Sequence, residues 1–289
     1  MRHLLAVCAL AFGFASPFAA ADQAPKVVEV QKVKDNLFVL TGGGGNSAAF
    51  VSADGVVLVD TKNPGWGPAL LQKIASLTRK PVTIVINTHT HADHTSGNVA
   101  LPGGVEIVAH ENTKANMAKM DLFKGKNAKF LPNKTFKDRL SLLSGKDRVE
   151  VYYFGVGGTN GDAWVVIPAL RTMIAGDAFA AKSPMFIDPD NGGSGVAYLE
   201  TLAKVLGQVK DVDTIITGHG PVMTWSDFRE YVDFQKGYLD WVRAEIKAGK
   251  TADQASEEYK VPAAYPDFTK FPPDFMKLGM QMLYRELSR

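Results

Sequence analysis

Apolar and polar positions alternate in short runs from Val27 to Asp60. Val28-Val30, Leu37–Leu40, Ala48–Val51 and Val56–Val59 each read as a strand, separated by the turn signals Asp35-Asn36, Gly42–Asn46 and Asp54-Gly55. The period then changes. Leu70, Leu71, Ile74 and Leu77 fall on one helical face, which predicts a helix over Pro68–Leu77. Lys80-Pro81 leads into the β-branched run Val82–Ile86, a buried strand that ends abruptly in polar residues. A helix from Ser96 to Leu101 and a strand from Gly104 to Ala109 follow, so the first half is an α/β chain. Residues 111–129 are polar and helical in parts, with Met117, Met120, Leu122 and Phe123 as the apolar face.

A second set of strands is predicted over Phe136–Leu143, Arg148–Phe154, Trp164–Ile167 and Arg171–Ala175. A helix over Tyr198–Leu206 and a strand at Thr214–Ile216 complete it, repeating the order of the first half. Past Trp225 the pattern is helical. Phe228, Tyr231, Tyr238, Leu239, Trp241, Val242 and Ile246 recur at helical spacing, an aromatic stripe that reads as packing. Thr251 is placed to cap a short helix to Tyr259. Pro272-Pro273-Asp274 opens a last helix expected to face inward with Phe275, Leu278, Met282 and Leu283.

Composition narrows this picture in two ways. With 46% hydrophobic and 21% charged residues, the 289-residue chain has ample material for a large core. The net charge of +2, with both signs interspersed, gives no reason to expect nucleic acid or an anionic membrane as partner. Residues 1–21 stand apart: Arg2 and His3, an apolar run from Leu4 to Phe14 too short to span a bilayer, then Ala19-Ala20-Ala21. That is the order of a cleavable secretory leader, implying a periplasmic or secreted protein. The only cysteine, Cys8, lies within it, so the mature chain would hold no disulfide and no thiolate ligand. The expected organisation is a leader over 1–21, one domain over 22–225, and a helical extension over 226–289 packed on it.

The chemistry concentrates after Val82–Ile86, where His89, His91, Asp93 and His94 fall within six residues. Imidazole nitrogens with a carboxylate are the ligand set that suits zinc. Asp177, at the end of the strand Arg171–Ala175, and His219, in the loop Gly218–Pro221, are further strand-end candidates. Asp60 ends an apolar strand, either as a carboxylate steadying a metal-ligating histidine or as an ordinary strand-end aspartate. The glycines Gly42–Gly45 lack the Lys-Ser/Thr ending of a phosphate loop and read as a flexible turn near the site mouth. His110 has no partner in sequence and reads as structural or as a rim residue.

His89–His94, the Thr159–Asp162 turn, Gly176-Asp177 and Gly218–Gly220 together resemble the metallo-β-lactamase superfamily over roughly residues 33–225, and Gly55–Asp60 is similar to its third-strand region. The resemblance implies an α/β fold, a four-layer αββα sandwich, here with extra C-terminal helices. It implies one or two zinc ions at one edge between the sheets. One would be held by His89, His91 and a third histidine; the other by Asp93, His94 and His219, with Asp177 bridging. Asp93 would also orient the nucleophile, a water made acidic by the metal, and accept its proton. The third histidine should precede Thr159, but the chain has Gly158 there. Two readings follow. One is a hydrolase opening an amide or ester of a small molecule, β-lactam-like or lactone-like, with a weakened first metal site. The other is a degenerate site that only binds. Lys182 is either a point charge for a substrate carboxylate or an ordinary surface lysine.

Overall fold

The computed structural model describes residues 25–288; the leader expected over residues 1–21, with Cys8, lies outside the described residues. The first half gives β1 (Glu29–Lys34), β2 (Leu37–Thr41), β3 (Ser47–Val51), β4 (Val56–Val59), α1 (Gly67–Leu77), β5 (Val82–Ile86), α2 (Ala92–Thr95), β6 (Glu106–His110), α3 (Glu111–Met117) and β7 (Lys134–Phe136). The second gives β8 (Arg139–Leu142), β9 (Val149–Tyr153), β10 (Ala163–Ile167), β11 (Thr172–Gly176), α4 (Gly195–Gln208), β12 (Thr214–Thr217) and β13 (Met223–Thr224). The helices α5 (Trp225–Lys247), α6 (Ala252–Glu258) and α7 (Pro273–Leu287) follow. Strands pair in chain order: β1 to β7 form one sheet and β8 to β13 the other.

Side chains sort by the two-residue period of a strand. Val39, Phe50, Val57, Val59, Ile84 and Ile86 of the first sheet meet Val165, Ile167, Ile174 and Ile216 of the second. Their neighbours Leu40, Ala49, Leu58 and Val85 point the other way, onto Leu70 and Ile74 of α1. On the far side, Trp164, Val166, Met173 and Ile215 pack on α4 and α5. Three apolar layers therefore separate four layers of structure, in the order αββα.

Several local expectations are corrected. Phe136–Leu143 is not one strand. Phe136 pairs with His110 in the first sheet, whereas β8 pairs with β9 in the second. The exposed, charged Lys137-Asp138 carries the chain across, because Phe136 is buried between the sheets and its successors are not. The helix expected over Ser96–Leu101 is a 3-10 turn, Ser96–Ala100, behind the one-turn α2. In α7 the buried face is Met276, Gly279, Met280 and Leu283, while Phe275 and Leu278 are exposed. Thr251 caps α6 in a capping box with Gln254, as its sequence predicts. Among the described residues, no helix is long and apolar enough to cross a membrane.

Candidate metal centre

Each sheet presents a parallel strand pair to the same edge. In the first, β4 and β5 run parallel with Val59 opposite Ile86, so Asp60 emerges beside Asn87-Thr88 and His89 follows. In the second, β11 and β12 run parallel with Gly176 opposite Thr217, so Asp177 emerges beside Gly218-His219. Carboxyl ends of parallel strands are where open α/β sheets place ligands. The two edges are clamped together. Ala163 N donates to Thr88 O (2.8 Å), and Asn46 N donates to Gly218 O (2.6 Å). Asn46 Nδ2 donates to Thr217 O (2.9 Å) and Gly220 O (2.8 Å). Gly176, at φ 50°, lies so near the other sheet that a Cβ there would stand 2.4 Å from Thr88 Oγ1.

The candidate ligands form two groups that share this edge. His91 occupies the N-cap of α2, and α2 carries Asp93 and His94, so half of the motif is a helical turn rather than loop. One group is His89, His91 and Asp177; the other is Asp93, His94 and His219; a further set, Asp60 with His89 and His94, is wholly buried. Asp177 faces both. Its Oδ2 lies 3.5 Å from His89 Nε2 and 3.8 Å from His91 Nδ1. Its Oδ1 lies 3.1 Å from His94 Nε2 and 3.2 Å from His219 Nε2. Asp93 Oδ2 is 3.3 Å from His219 Nε2 and 3.5 Å from His94 Nε2.

Carboxylates behind the imidazoles fix their orientation. Asp60 Oδ2 is 2.8 Å from His94 Nδ1, leaving Nε2 to face the cluster. Asp60 is itself held by Thr88 N (2.8 Å) and Thr88 Oγ1 (2.7 Å), so the bracing reading of Asp60 is the one its contacts support. Gly45 closes the other side of His94, where a Cβ would stand 2.2 Å from the ring. The glycine turn is thus at the site, as expected, but it is pinned rather than free. Gly45 N donates to Asp93 O (3.2 Å), and the buried Lys62 Nζ donates to Gly45 O and Leu40 O (2.5 Å each). His91 Nε2 meets Asp188 Oδ2 at 3.0 Å, which leaves Nδ1 for the cluster.

The field at the cluster favours a cation. Burial opposes the charged form of His91, yet its hydrogen bonds to Asp177 and Asp188 hold its pKa up at about 10. The same contest raises His94, where Asp177 and Asp60 outweigh complete burial. Asp177 is pushed low: burial would raise it, but His94, His89 and His219 overcome that. Burial raises Asp162, which accepts from Thr159 N and Thr159 Oγ1 on the cavity wall.

The cavity in front of the cluster has a volume of about 660 Å³. His89, His91, Asp93, Asp177 and His219 line it, as does Gly158, while His94 is buried behind. Gly158 therefore faces the site but offers no ligand. A Cβ there would stand 3.0 Å from Phe186 O, and Gly158 O accepts from Asp188 N (2.8 Å). Lys182 is not at the cavity. Its ammonium is 2.8 Å from both Asp227 Oδ1 and Glu230 Oε2, in the first turns of α5, so the substrate-carboxylate reading is corrected. His110 is structural: it accepts from Asn112 N at the start of α3 and stacks on Tyr153. The sequence reading missed Asp188 and the cavity-lining Phe186, Phe271 and Phe275. Asp188 sits in Ile187–Asn191, which reads as a turn; nothing in its spacing points to His91, 97 residues earlier.

The donor set fits zinc. His89 Nε2 and Asp177 Oδ1 are both buried without a hydrogen bond of good geometry, although each faces its group. Measured separations within the groups run from 3.3 to 3.8 Å, close to the roughly 3.4 Å expected between tetrahedral ligands about 2.0–2.2 Å from one ion.

Comparisons with known proteins agree with this fold. A family profile described as the metallo-beta-lactamase superfamily matches residues 40–219. A metallo-beta-lactamase type 2 of Elizabethkingia meningoseptica is 26% identical over 244 residues, covering 78% of this chain and 91% of that protein. A metallo-beta-lactamase type 2 of Bacillus cereus is 26% identical over 210 residues, covering 68% and 77%. A solved metallo-beta-lactamase from Pontibacter korlensis superposes with a TM-score of 0.64 at 21% identity, covering 73% of this chain and 99% of that one. With more than half of its length matched by the profile, the chain belongs to the metallo-beta-lactamase superfamily.

Proposed function

We propose that this chain is a zinc-dependent hydrolase that opens an amide or ester bond of a small molecule, working from an asymmetric metal site. The observation that supports it is convergence. Three separate segments bring His89, His91, Asp93, His94, Asp177 and His219 to one edge, with Asp60 and Asp188 behind two of the imidazoles. Asp93, His94, Asp177 and His219 would hold the tighter ion; His89 and His91, with the shared Asp177, would hold the weaker one, because Gly158 supplies no third imidazole. Bound zinc supplies Lewis-acid polarisation of a carbonyl and a water acidic enough to ionise near neutral pH.

The chain's own residues supply the rest. Asp93 Oδ2 faces the cavity beside His219 and is placed to accept a proton from the attacking water. Asp60 and Asp188 hold the ring orientations of His94 and His91, so the ligand atoms need not be ordered at each turnover. In this reading the protein acts outside the cytoplasm after residues 1–21 are removed.

Gly158 favours a second reading, a binding protein that retains a ligand without turnover. Zinc-dependent hydrolysis separates the two. The mature protein, assayed with zinc on a β-lactam, a lactone and a simple ester, is expected to release acid from at least one of them. A chelator should abolish the release and zinc should restore it. Retention of ligand with no acid released on any of the three would support the binder.

A further inference from the structure

One wall of the cavity comes from outside the region matched by the family profile. Phe271 and Pro272 ahead of α7, and Phe275 in its first turn, line the space opposite the metal-ligand cluster. Phe186 joins them to the cluster: its ring centroid is 6.3 Å from His91 and 5.5 Å from Phe275, and Phe271 lies 6.1 Å from Phe275. A continuous aromatic surface therefore runs from a candidate ligand imidazole to the mouth, where Phe275 is 51% exposed. A large apolar side chain half in solvent beside an aromatic-lined cavity is a contact surface in need of a partner.

The charged side chains lining the same cavity point the same way. Aspartates Asp93, Asp162 and Asp177 line it, and among its lining residues there is no lysine or arginine. Lys182 is claimed by Asp227 and Glu230, and Lys62 is buried under the glycine turn. No lysine or arginine is therefore at hand to pair with a substrate carboxylate.

We infer that the substrate is a neutral ester or lactone whose aryl or alkyl group lies on Phe186, Phe271 and Phe275. This rests on the hydrolytic reading and narrows it. Hydrolysis adds one water across the acyl C–O bond: hydroxyl joins the carbonyl carbon, and the departing oxygen leaves with the second proton as an alcohol. The apolar group stays on the aromatic wall while the carbonyl reaches the cluster.

The test uses zinc-loaded protein and matched methyl esters: acetate, butyrate, 4-phenylbutyrate, and monomethyl glutarate, an anion close in length to the butyrate. We expect kcat/KM to rise about ten-fold or more from the acetate to the 4-phenylbutyrate, with monomethyl glutarate below the butyrate. Phe275→Ala and Phe186→Ala should shrink that rise to about two- or three-fold. Leu278→Ala, on the same helix but off the cavity, should keep it. Binding of 4-phenylbutanamide against butanamide, followed by calorimetry, reads the same preference without turnover. If no ester is cleaved but the phenyl amide binds more tightly through Phe275, the hydrolytic reading fails and the aromatic subsite stands. A preference for monomethyl glutarate, or a phenyl gain that survives in both phenylalanine variants or is missing from both assays, overturns the inference.

Discussion

The two ligand groups on either side of Asp177 share one carboxylate and differ in what stands behind them. His94 is fully buried, its Nδ1 held by Asp60, its ring closed in by Gly45, and Asp60 is itself fixed by two bonds from Thr88. All of that support comes from the parallel pair β4–β5 and the turns beside it. His91 is partly exposed and rests on Asp188, which belongs to a turn of the other half of the chain. His89 has only Thr88 Oγ1 at Nδ1 (3.0 Å), and Gly158, which lines the same cavity, carries no donor side chain. A ligand steadied by strands keeps its geometry better than one steadied by a loop. The difference teaches that the group proposed to hold the weaker ion is also the one with less support behind it.

The largest effect should come from removing what the groups share. Asp177→Ala is expected to bring zinc-dependent turnover to background and to weaken both ions, as followed by metal titration and acid release. If one ion keeps its affinity, Asp177 serves a single group.

Paired substitutions then sharpen the contrast. Asp60→Asn should weaken the tighter ion by about 10- to 100-fold. Asp188→Asn should act on the weaker ion alone, by about ten-fold. Competition against a chelator of known affinity reads both; equal losses from the two variants would mean that the groups are not independently braced.

Gly158→His tests the asymmetry from the other direction. The added imidazole should tighten the weaker ion. Because a Cβ at 158 meets Phe186 O at 3.0 Å, thermal or denaturant unfolding should show a loss of about 1–3 kcal/mol. Unchanged metal stoichiometry would mean that the 184–193 segment keeps the new side chain out of the cluster.

The smallest effect concerns Lys62, at φ 76° beneath the glycine turn. Burial lowers its pKa from 10.5 to about 8, with Asp60 and Asp93 opposing. Between these values the unfolded chain binds the extra proton, so stability should rise with pH from about 8 towards 10.5, whereas the burial penalty is fully present below 8. Relative to Lys62→Met, the wild type should gain at most about 3 kcal/mol over that window in denaturant unfolding. A parallel pH profile in the two proteins would contradict the assignment.

Much of this was legible in the sequence, for identifiable reasons. Strand alternation sorts into layers because one face of each sheet meets the other sheet, as Val57 and Val59 do while Leu58 turns to α1. The candidate ligand cluster was legible because three histidines and an aspartate crowd one strand end. What escaped depends on contacts between distant segments. Nothing in Phe136–Leu143 announces that the chain changes sheets at Lys137, and nothing near Asp188 announces His91. Phe275 was expected inside because its spacing fits the inward stripe; the helix is rotated so that Met276, Met280 and Leu283 fill the core and Phe275 is left at the cavity.

The central claim is the asymmetry, and a zinc titration of the mature protein tests it most directly, followed by calorimetry and by elemental analysis after dialysis. Two separable events are predicted, one tight ion per chain and a second markedly weaker, with elemental analysis near one. Two equivalent tight ions, or none, would contradict it.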